Sequence, residues 1–247
     1  MKAYSSLARF YDSFTHDAPY EAFADFYEEI FRTNGLQVKT ILDLACGTGT
    51  LTHLLAARGY ETLGVDSSPD MLSIAAQKAF DDCHCPPVFI CQEMEELDLY
   101  GTVDAAVCSL DGINYLHPDQ LPAAFNRVHL FLEPGGVFIF DIHTPRHLRR
   151  MNGAACVDET DDAFCVWCAE FDKGEAACHY GFDIFEKSGD TWSRSREEHT
   201  QYAHKPKTLM KMLKGVGFAD TRLIKASKKL PSLTGRRVFI TARKKGL

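Results

Sequence analysis

The segment "TILDLACGTGTL", residues 40–51, places Asp43 four residues ahead of Gly47 and six ahead of Gly49. Glycines there let the backbone approach a ligand closely, because they carry no Cβ. A loop that cradles phosphate relies on backbone N–H groups and a helix N-terminus, and a carboxylate beside it would repel the anion. Asp43 therefore points to a cation, such as an α-ammonium group. Asp66, 23 residues further on, has the spacing of a carboxylate that accepts from two ribose hydroxyls. In "CQEMEEL", residues 91–97, Glu93 can accept from an exocyclic amine and Met94 can pack on a purine face. Each signal also has an ordinary explanation: Gly-x-Gly serves many tight bends, Asp66 suits the approach to a helix cap at Ser68 and Pro69, and Met94 suits a core. Taken in order along successive strand ends, they describe a nucleoside carrying a cationic amino-acid tail.

Each of these residues needs a strand end to stand on. "KTILDLA" is a short apolar run that stops at the glycines, and Leu51, Leu54 and Leu55 then recur at helical spacing. "ETLGVD" predicts a second strand, followed by Ser68 as a cap, Pro69 at the first helical position and Asp70 in the first turn. "PVFICQ", "VDAAVCSL" and "GGVFIFDIH" read as further buried strands, with "PDQLPAAFNRVHLFL" as a helix before the last. Such alternation predicts an α/β fold, a mostly parallel sheet with helices on both faces and a ligand crevice beyond the carboxyl ends of its strands. Upstream, "YEAFADFYEEIF" sets Tyr20, Phe23, Tyr27, Ile30 and Phe31 on one helical stripe that ends near Asn34 and Gly35.

From 145 to 204 helical periodicity vanishes. "AFCVWCAEF", "ACHYGFDIFEK" and "TWSRSREEHTQYAH" read as antiparallel strands with turns at "DKGE" and "KSGD". The expectation is a β-rich insertion between strands 5 and 6 that forms a substrate lid. Residues 1–144 and 205–247 would then make the core with an N-terminal helical cap. "PKTLMKMLKGVGF" predicts the next helix, and strands near "ADTRLIKAS" and "RRVFITARK" complete the sheet.

At 247 residues and 45% apolar composition the chain can bury one substantial core. A net charge of −7 gives no global attraction for polyanions, so nucleic acid is a poor partner. The basic runs "KASKK" and "GRRVFITARKK" read as a solvated strand edge or helix face. No run approaches bilayer length, the start lacks the apolar segment of a secretory signal, and nine cysteines are scattered, which together predict a reduced, cytoplasmic protein. Cys165 and Cys168 form a C-x-x-C, but on a strand they face opposite sides. Cys83, His84, Cys85 and Cys91 match no paired zinc spacing, so no metal is expected.

S-adenosylmethionine is a nucleoside with a cationic amino-acid tail, and the sequence resembles the class I S-adenosylmethionine-dependent methyltransferases. "ILDLACGTGTLT" resembles their first motif, the stretch from Gly64 to Leu72 their ribose motif, "CQEMEEL" their adenine motif and "LEPGGVFIFDIHTP" their fifth-strand segment. "LARFYDSFTHDAPYEAF", "SLDGINYL" and "EEHTQYAHKPKTLMKMLKGVGF" resemble a bacterial small-protein branch of undefined substrate. That branch is similar in layout to amino-sugar and glycine-type N-methyltransferases, where an aromatic N-terminal segment closes over the cofactor. The resemblance implies a seven-stranded Rossmann-like sheet. It also implies that Asp43, Ala45, Cys46, Gly47 and Gly49 hold the methionine end, Asp66 the ribose, Ser67 and Met71 the adenosine surroundings, and Glu93 with Met94 the adenine. Ser109 and Leu110 would lie beneath the sulfonium. Tyr11 and Tyr20 match aromatic positions facing the cofactor, though a tyrosine on an amphipathic helix also simply packs.

Methyl transfer is an in-line displacement, helped chiefly by holding acceptor and methyl group aligned at about 3–3.5 Å away from water. A base is needed only where the acceptor arrives protonated. Asp111, just past the fourth strand, is the candidate on position, and it equally suits the start of an Asp–Gly turn. His199 is a second candidate if the insertion folds back over the crevice, and it also suits a packed or solvent-facing histidine. Alternation puts Glu198 and Tyr202 on one face of that strand and His199 and Gln201 on the other. Asn114, Tyr115, His143 and Tyr202 are the acceptor-pocket candidates.

The expected function is methyl transfer to a nitrogen or oxygen of a small molecule by a monomer or weak homodimer. The alternatives are a non-catalytic S-adenosylmethionine sensor or interaction protein, and an RNA or protein methyltransferase. A dinucleotide enzyme is disfavoured because Thr52 stands where G-x-G-x-x-G needs its last glycine. "SLDG" lacks the Asn/Asp-Pro-Pro-aromatic pattern associated with flipped bases.

Overall fold

The computed structural model describes residues 4, 6–78, 85–225 and 235–246. Cys83 and His84, weighed above as metal ligands, lie outside them. A short helix α1 (Tyr11–Phe14) and a longer α2 (Tyr20–Thr33) lead into β1 (Thr40–Leu44), α3 (Thr50–Ala57), β2 (Glu61–Asp66), α4 (Pro69–Gln77) and β3 (Val88–Cys91). Next come β4 (Val103–Cys108), α5 (Leu121–Phe131), β5 (Leu132–His143) and α6 (Pro145–Arg150). Four strands follow, β6 (Ala155–Glu159), β7 (Ala163–Asp172), β8 (Ala177–Ser188) and β9 (Thr191–Tyr202). The chain then runs through α7 (Pro206–Val216) and β10 (Phe218–Lys225) to β11 (Arg237–Lys244).

The expected seven-stranded sheet is present, in the order β10-β11-β5-β4-β1-β2-β3. β11 alone runs against its neighbours β5 and β10. Its middle strands are apolar at successive positions because both faces are covered. Leu42, Leu44, Phe138 and Phe140 face α5 and α7, where Phe125, Val128, Leu209 and Leu213 close one core layer. The alternate residues Ile41, Val137 and Ile139 face α2 and α3, with Phe23, Tyr27, Leu51 and Leu55. This period of two packs helices on both sides and leaves the carboxyl ends of β1, β2, β4 and β5 along one rim.

The capping at Ser68 is as expected: its Oγ accepts the Met71 N–H at 3.2 Å and Pro69 opens α4. Thr144 and Pro145 repeat that device, Thr144 Oγ1 accepting the His147 N–H at 3.2 Å, and so start α6 inside the stretch read as purely β. Six residues are too few to display helical periodicity. β6 also went unforeseen, since its residues are mostly exposed and show no alternation. β6 to β9 form a separate antiparallel sheet in sequence order. On β7, Cys165 is buried and Cys168 exposed, as their spacing requires. This second sheet meets the N-terminal segment, Leu7 packing on Cys165 and Ile184.

Gly49 sits at the start of α3 with φ +69°, and a Cβ there would come within 2.9 Å of the Phe89 ring and Ala75. Its role is therefore the close seating of α3 against α4 and β3. Gly49→Ala is expected to lower unfolding free energy by about 2–4 kcal/mol, from left-handed strain plus overpacking. A urea titration with an unchanged midpoint would refute that role.

Candidate active site

A hollow of about 310 Å³ opens at the carboxyl ends of β1, β2 and β4. Asp43, Ala45, Cys46, Gly47, Asp66 and Ser67 line it from the first two strand ends. Met71, Glu93, Ser109, Leu110, Tyr11 and Tyr20 line it from elsewhere. Met94 is brought instead to an adjoining recess of about 170 Å³ that shares Asp66, Ser67 and Glu93. Gly49 faces away, into the packing described above. Gly47, at φ +55°, has open space where a Cβ would stand, so the backbone there is open to close approach.

Asp43 is buried, and its Oδ2 accepts the Thr52 hydroxyl at 2.7 Å. Burial pushes its carboxyl up to about 7; the Thr52 bond restrains the rise and the charge of Asp66 adds to it. Asp66 accepts from Gly47 N–H and Ser68 N–H, each at 2.8 Å, joining the glycine loop to the α4 cap. Burial raises its pKa too, with these backbone bonds pulling it down. Among the described residues no lysine or arginine pairs with either carboxylate. A buried acid and a half-buried one without a cation suit a ligand that carries one.

The next two strand ends are built differently. Leu110 and Asp111 adopt φ +54° and +63°, a left-handed pair costly for residues with a side chain. Asp141, inaccessible to water, holds both: Oδ1 accepts Leu110 N–H at 2.8 Å and Oδ2 accepts Asp111 N–H at 3.2 Å. Arg237 pairs with Asp141 at 2.6 Å and with Asp111. Ser109 Oγ lies 2.6 Å from the Tyr27 hydroxyl.

Tyr4, Tyr11 and Tyr115 form a wall between this hollow and a second one of about 840 Å³. The Tyr4 and Tyr115 hydroxyls are 2.6 Å apart, and burial raises the pKa of all three, so the wall presents neutral phenols. His143, His147 and Arg237 line the second hollow on the core side; Trp167, Tyr180, Phe182 and Gln201 line it from the antiparallel sheet.

The structure corrects several expected roles. Asp111 lines neither hollow: Arg237 holds one oxygen and the Gln201 amide donates to the other. His199 faces the second hollow, but Glu197 engages its Nε2 at 3.1 Å and the Tyr115 hydroxyl lies 3.4 Å from Nδ1. Glu197 also accepts the backbone N–H groups of Tyr4, Ser6 and Leu7, so this pair anchors the N-terminal segment. Asn114 is buried and clamps backbone, accepting His143 N–H at 2.9 Å and donating to Tyr202 O at 2.8 Å. Tyr202 is on the opposite face of β9 from His199, with His117 edge-on at 5.1 Å. Only Tyr115 and His143 of the four pocket candidates reach the second hollow. Arg237, within a basic run read as solvated, is largely buried; an arginine at the head of an apolar strand was the available signal.

Among the described residues no cluster of metal-binding side chains occurs, and no helix is long and apolar enough to cross a membrane. Fold and hollow together define a Rossmann-like protein built to receive a cationic nucleoside. The family described as a methyltransferase domain matches residues 41–136. YqeM from Bacillus subtilis (strain 168) is 30% identical over 245 residues, covering 98% of this chain and 97% of that one. An S-adenosylmethionine-dependent methyltransferase structure from Clostridium acetobutylicum ATCC 824 is 30% identical with TM-score 0.80, covering 99% of this chain and 100% of its own. A partial relative, the dTDP-3-amino-3,4,6-trideoxy-alpha-D-glucopyranose N,N-dimethyltransferase of Streptomyces venezuelae, is 31% identical over 125 residues, 49% of this chain and 50% of that one. The chain belongs to the class I S-adenosylmethionine-dependent methyltransferases, and S-adenosylmethionine is its cofactor.

The raised carboxyl of Asp43 gives the hollow a pH signature. A bound cation favours the ionised acid, so below about 7 binding must expel a proton. Affinity for S-adenosylhomocysteine is expected to rise from pH 5 toward 7, at up to about tenfold per unit. It should decline only at higher pH, where the ligand's free α-amino group loses its charge. Calorimetry across this range checks it, and an acid limb that persists in Asp43→Asn would remove the assignment.

Proposed function

We propose that the chain moves a methyl group to a nitrogen or oxygen of a small molecule held in the second hollow, with residues 145–204 as the lid over it. The observation that carries this reading is the shared wall: Tyr4, Tyr11 and Tyr115 border both hollows. Donor and acceptor bound on its two sides would meet there. When bound, S-adenosylmethionine supplies an electrophilic methyl carbon on a sulfonium. Asp43 and the open backbone at Gly47 would receive the cationic amino-acid end, Asp66 the ribose, and Glu93 with Met94 the base. Trp167, Tyr180 and Phe182 would pack on an apolar part of the acceptor and exclude water, so that alignment supplies much of the acceleration.

The partial likeness to an amino-sugar N,N-dimethyltransferase favours nitrogen. Exposed free thiols at Cys91, Cys156 and Cys168 suit the reducing cytoplasm.

Incubation of the protein with methyl-labelled S-adenosylmethionine and a metabolite extract is expected to label a small molecule. Trp167→Ala should cut that transfer by about fivefold to tenfold, the scale of one lost aromatic contact, with cofactor affinity unchanged. Label found only in macromolecules, or none at all, would reject the reading.

A further inference from the structure

We infer that His143 is the general base of the transfer and that Gln201 and Asp111 fix its tautomer. The inference rests on the acceptor occupying the second hollow, which His143 lines from the end of β5.

The hydrogen-bond chain determines which ring nitrogen is free. Arg237 pairs with Asp111, whose carboxylate can only accept. The Gln201 Nε2 donates to Asp111 Oδ2, which leaves the Gln201 Oε1 facing His143 Nδ1 at 3.1 Å. An amide oxygen also only accepts, so Nδ1 must carry the proton. A second acceptor near Nδ1, the carboxylate Oδ2 of Asp111 at 3.6 Å, favours the same tautomer. Nε2 keeps its lone pair. The opposite tautomer would set two lone pairs against each other.

The ring is also held in place. Asn114 Oδ1 accepts the His143 N–H, and residue 143 pairs with Arg237 across β5 and β11. Charged and titratable groups face it from every side: Asp111 after β4, Asp141 on β5, Arg237 on β11 and His147 on α6, whose ring centroid is 4.6 Å away. Burial lowers the pKa of His143, Asp111 and Asp141 oppose that, and Arg237 reinforces it. His147 is pushed down to about 4, chiefly by burial. Near pH 7 both rings are therefore neutral and add no positive charge against a proton-bearing acceptor.

In the step itself, one proton of the acceptor's ammonium or hydroxyl group passes to Nε2. The electron pair so released on nitrogen or oxygen forms the bond to the methyl carbon. The pair of the breaking carbon–sulfur bond stays on sulfur and neutralises the sulfonium. The imidazolium then returns its proton to water. A base serves only an acceptor that still holds a proton, so the acceptor class is an amine that arrives as its ammonium form or a hydroxyl compound. A thioether, which has no proton to lose, would gain nothing from it.

Two readouts test this. In ligand-free protein at pH 7.5, ¹H–¹⁵N imidazole spectra should show His143 as the neutral Nδ1–H tautomer, with its signals assigned by their loss in His143→Gln. Gln201→Leu should mix the tautomers. A neutral Nε2–H form, or an imidazolium, in the native protein overturns the inference without touching the acceptor hollow. With the acceptor from the labelling screen, His143→Gln should keep its affinity for S-adenosylhomocysteine and lose about 100-fold or more in transfer at pH 7, the usual scale for a positioned base. That loss should shrink as pH rises. Unchanged transfer rejects His143 while leaving the small-molecule reading intact, whereas failure of the native protein to label any small molecule rejects both.

Discussion

Four carboxylates stand near one rim of the sheet, three buried and Asp66 half-buried, and a single arginine serves two of them. Arg237 lies between Asp111 and Asp141. Asp43 and Asp66 have hydroxyl and backbone N–H donors but, among the described residues, no cationic partner. Removing a carboxylate from water is costly unless charge compensates it, and the raised carboxyl of Asp43 is the visible sign of that cost. On the proposed reading the cationic nucleoside offsets it: the chain completes one acidic pair, and the ligand would complete the other.

The completed pair organises the rest. Asp141 fixes two left-handed residues, of which Leu110 lines the first hollow, and Asp111 is tied through Gln201 to the antiparallel sheet. The N-terminal segment is tied down at two places. Glu197 gathers its backbone N–H groups on one side, and Asp12 accepts from Thr48 at 2.6 Å and pairs with Lys78 at 2.8 Å on the other. Between these anchors the tyrosine wall is held against both hollows. The antiparallel sheet therefore reaches the chemistry through buried polar contacts as well as through apolar packing.

Much of this was legible because it is local. Asp43, Gly47 and Asp66 sit at fixed offsets from apolar strand runs, and the period of two along β1 and β5 and the cap at Ser68 can be read within ten residues. What was missed depends on partners distant in sequence. Asp111 looked like a base on position, and only the fold brings Arg237 and Gln201 to neutralise and hold it. Arg237 looked like part of a solvated run because its acidic partners lie far upstream. Gly47 and Gly49 were indistinguishable until the Phe89 ring was placed against one of them. α6 was too short to show a period, although its Thr–Pro start matched the Ser–Pro signature already used for α4.

A crystal structure with S-adenosylhomocysteine tests the central claim most directly. The expected result has the ligand's amino group within direct or single-water hydrogen-bonding reach of Asp43, its ribose hydroxyls on Asp66, and the space beyond Tyr4, Tyr11 and Tyr115 left for an acceptor. Carboxyl groups of residues 43 and 66 turned away from the ligand, or a ligand lying across the second hollow, would contradict it.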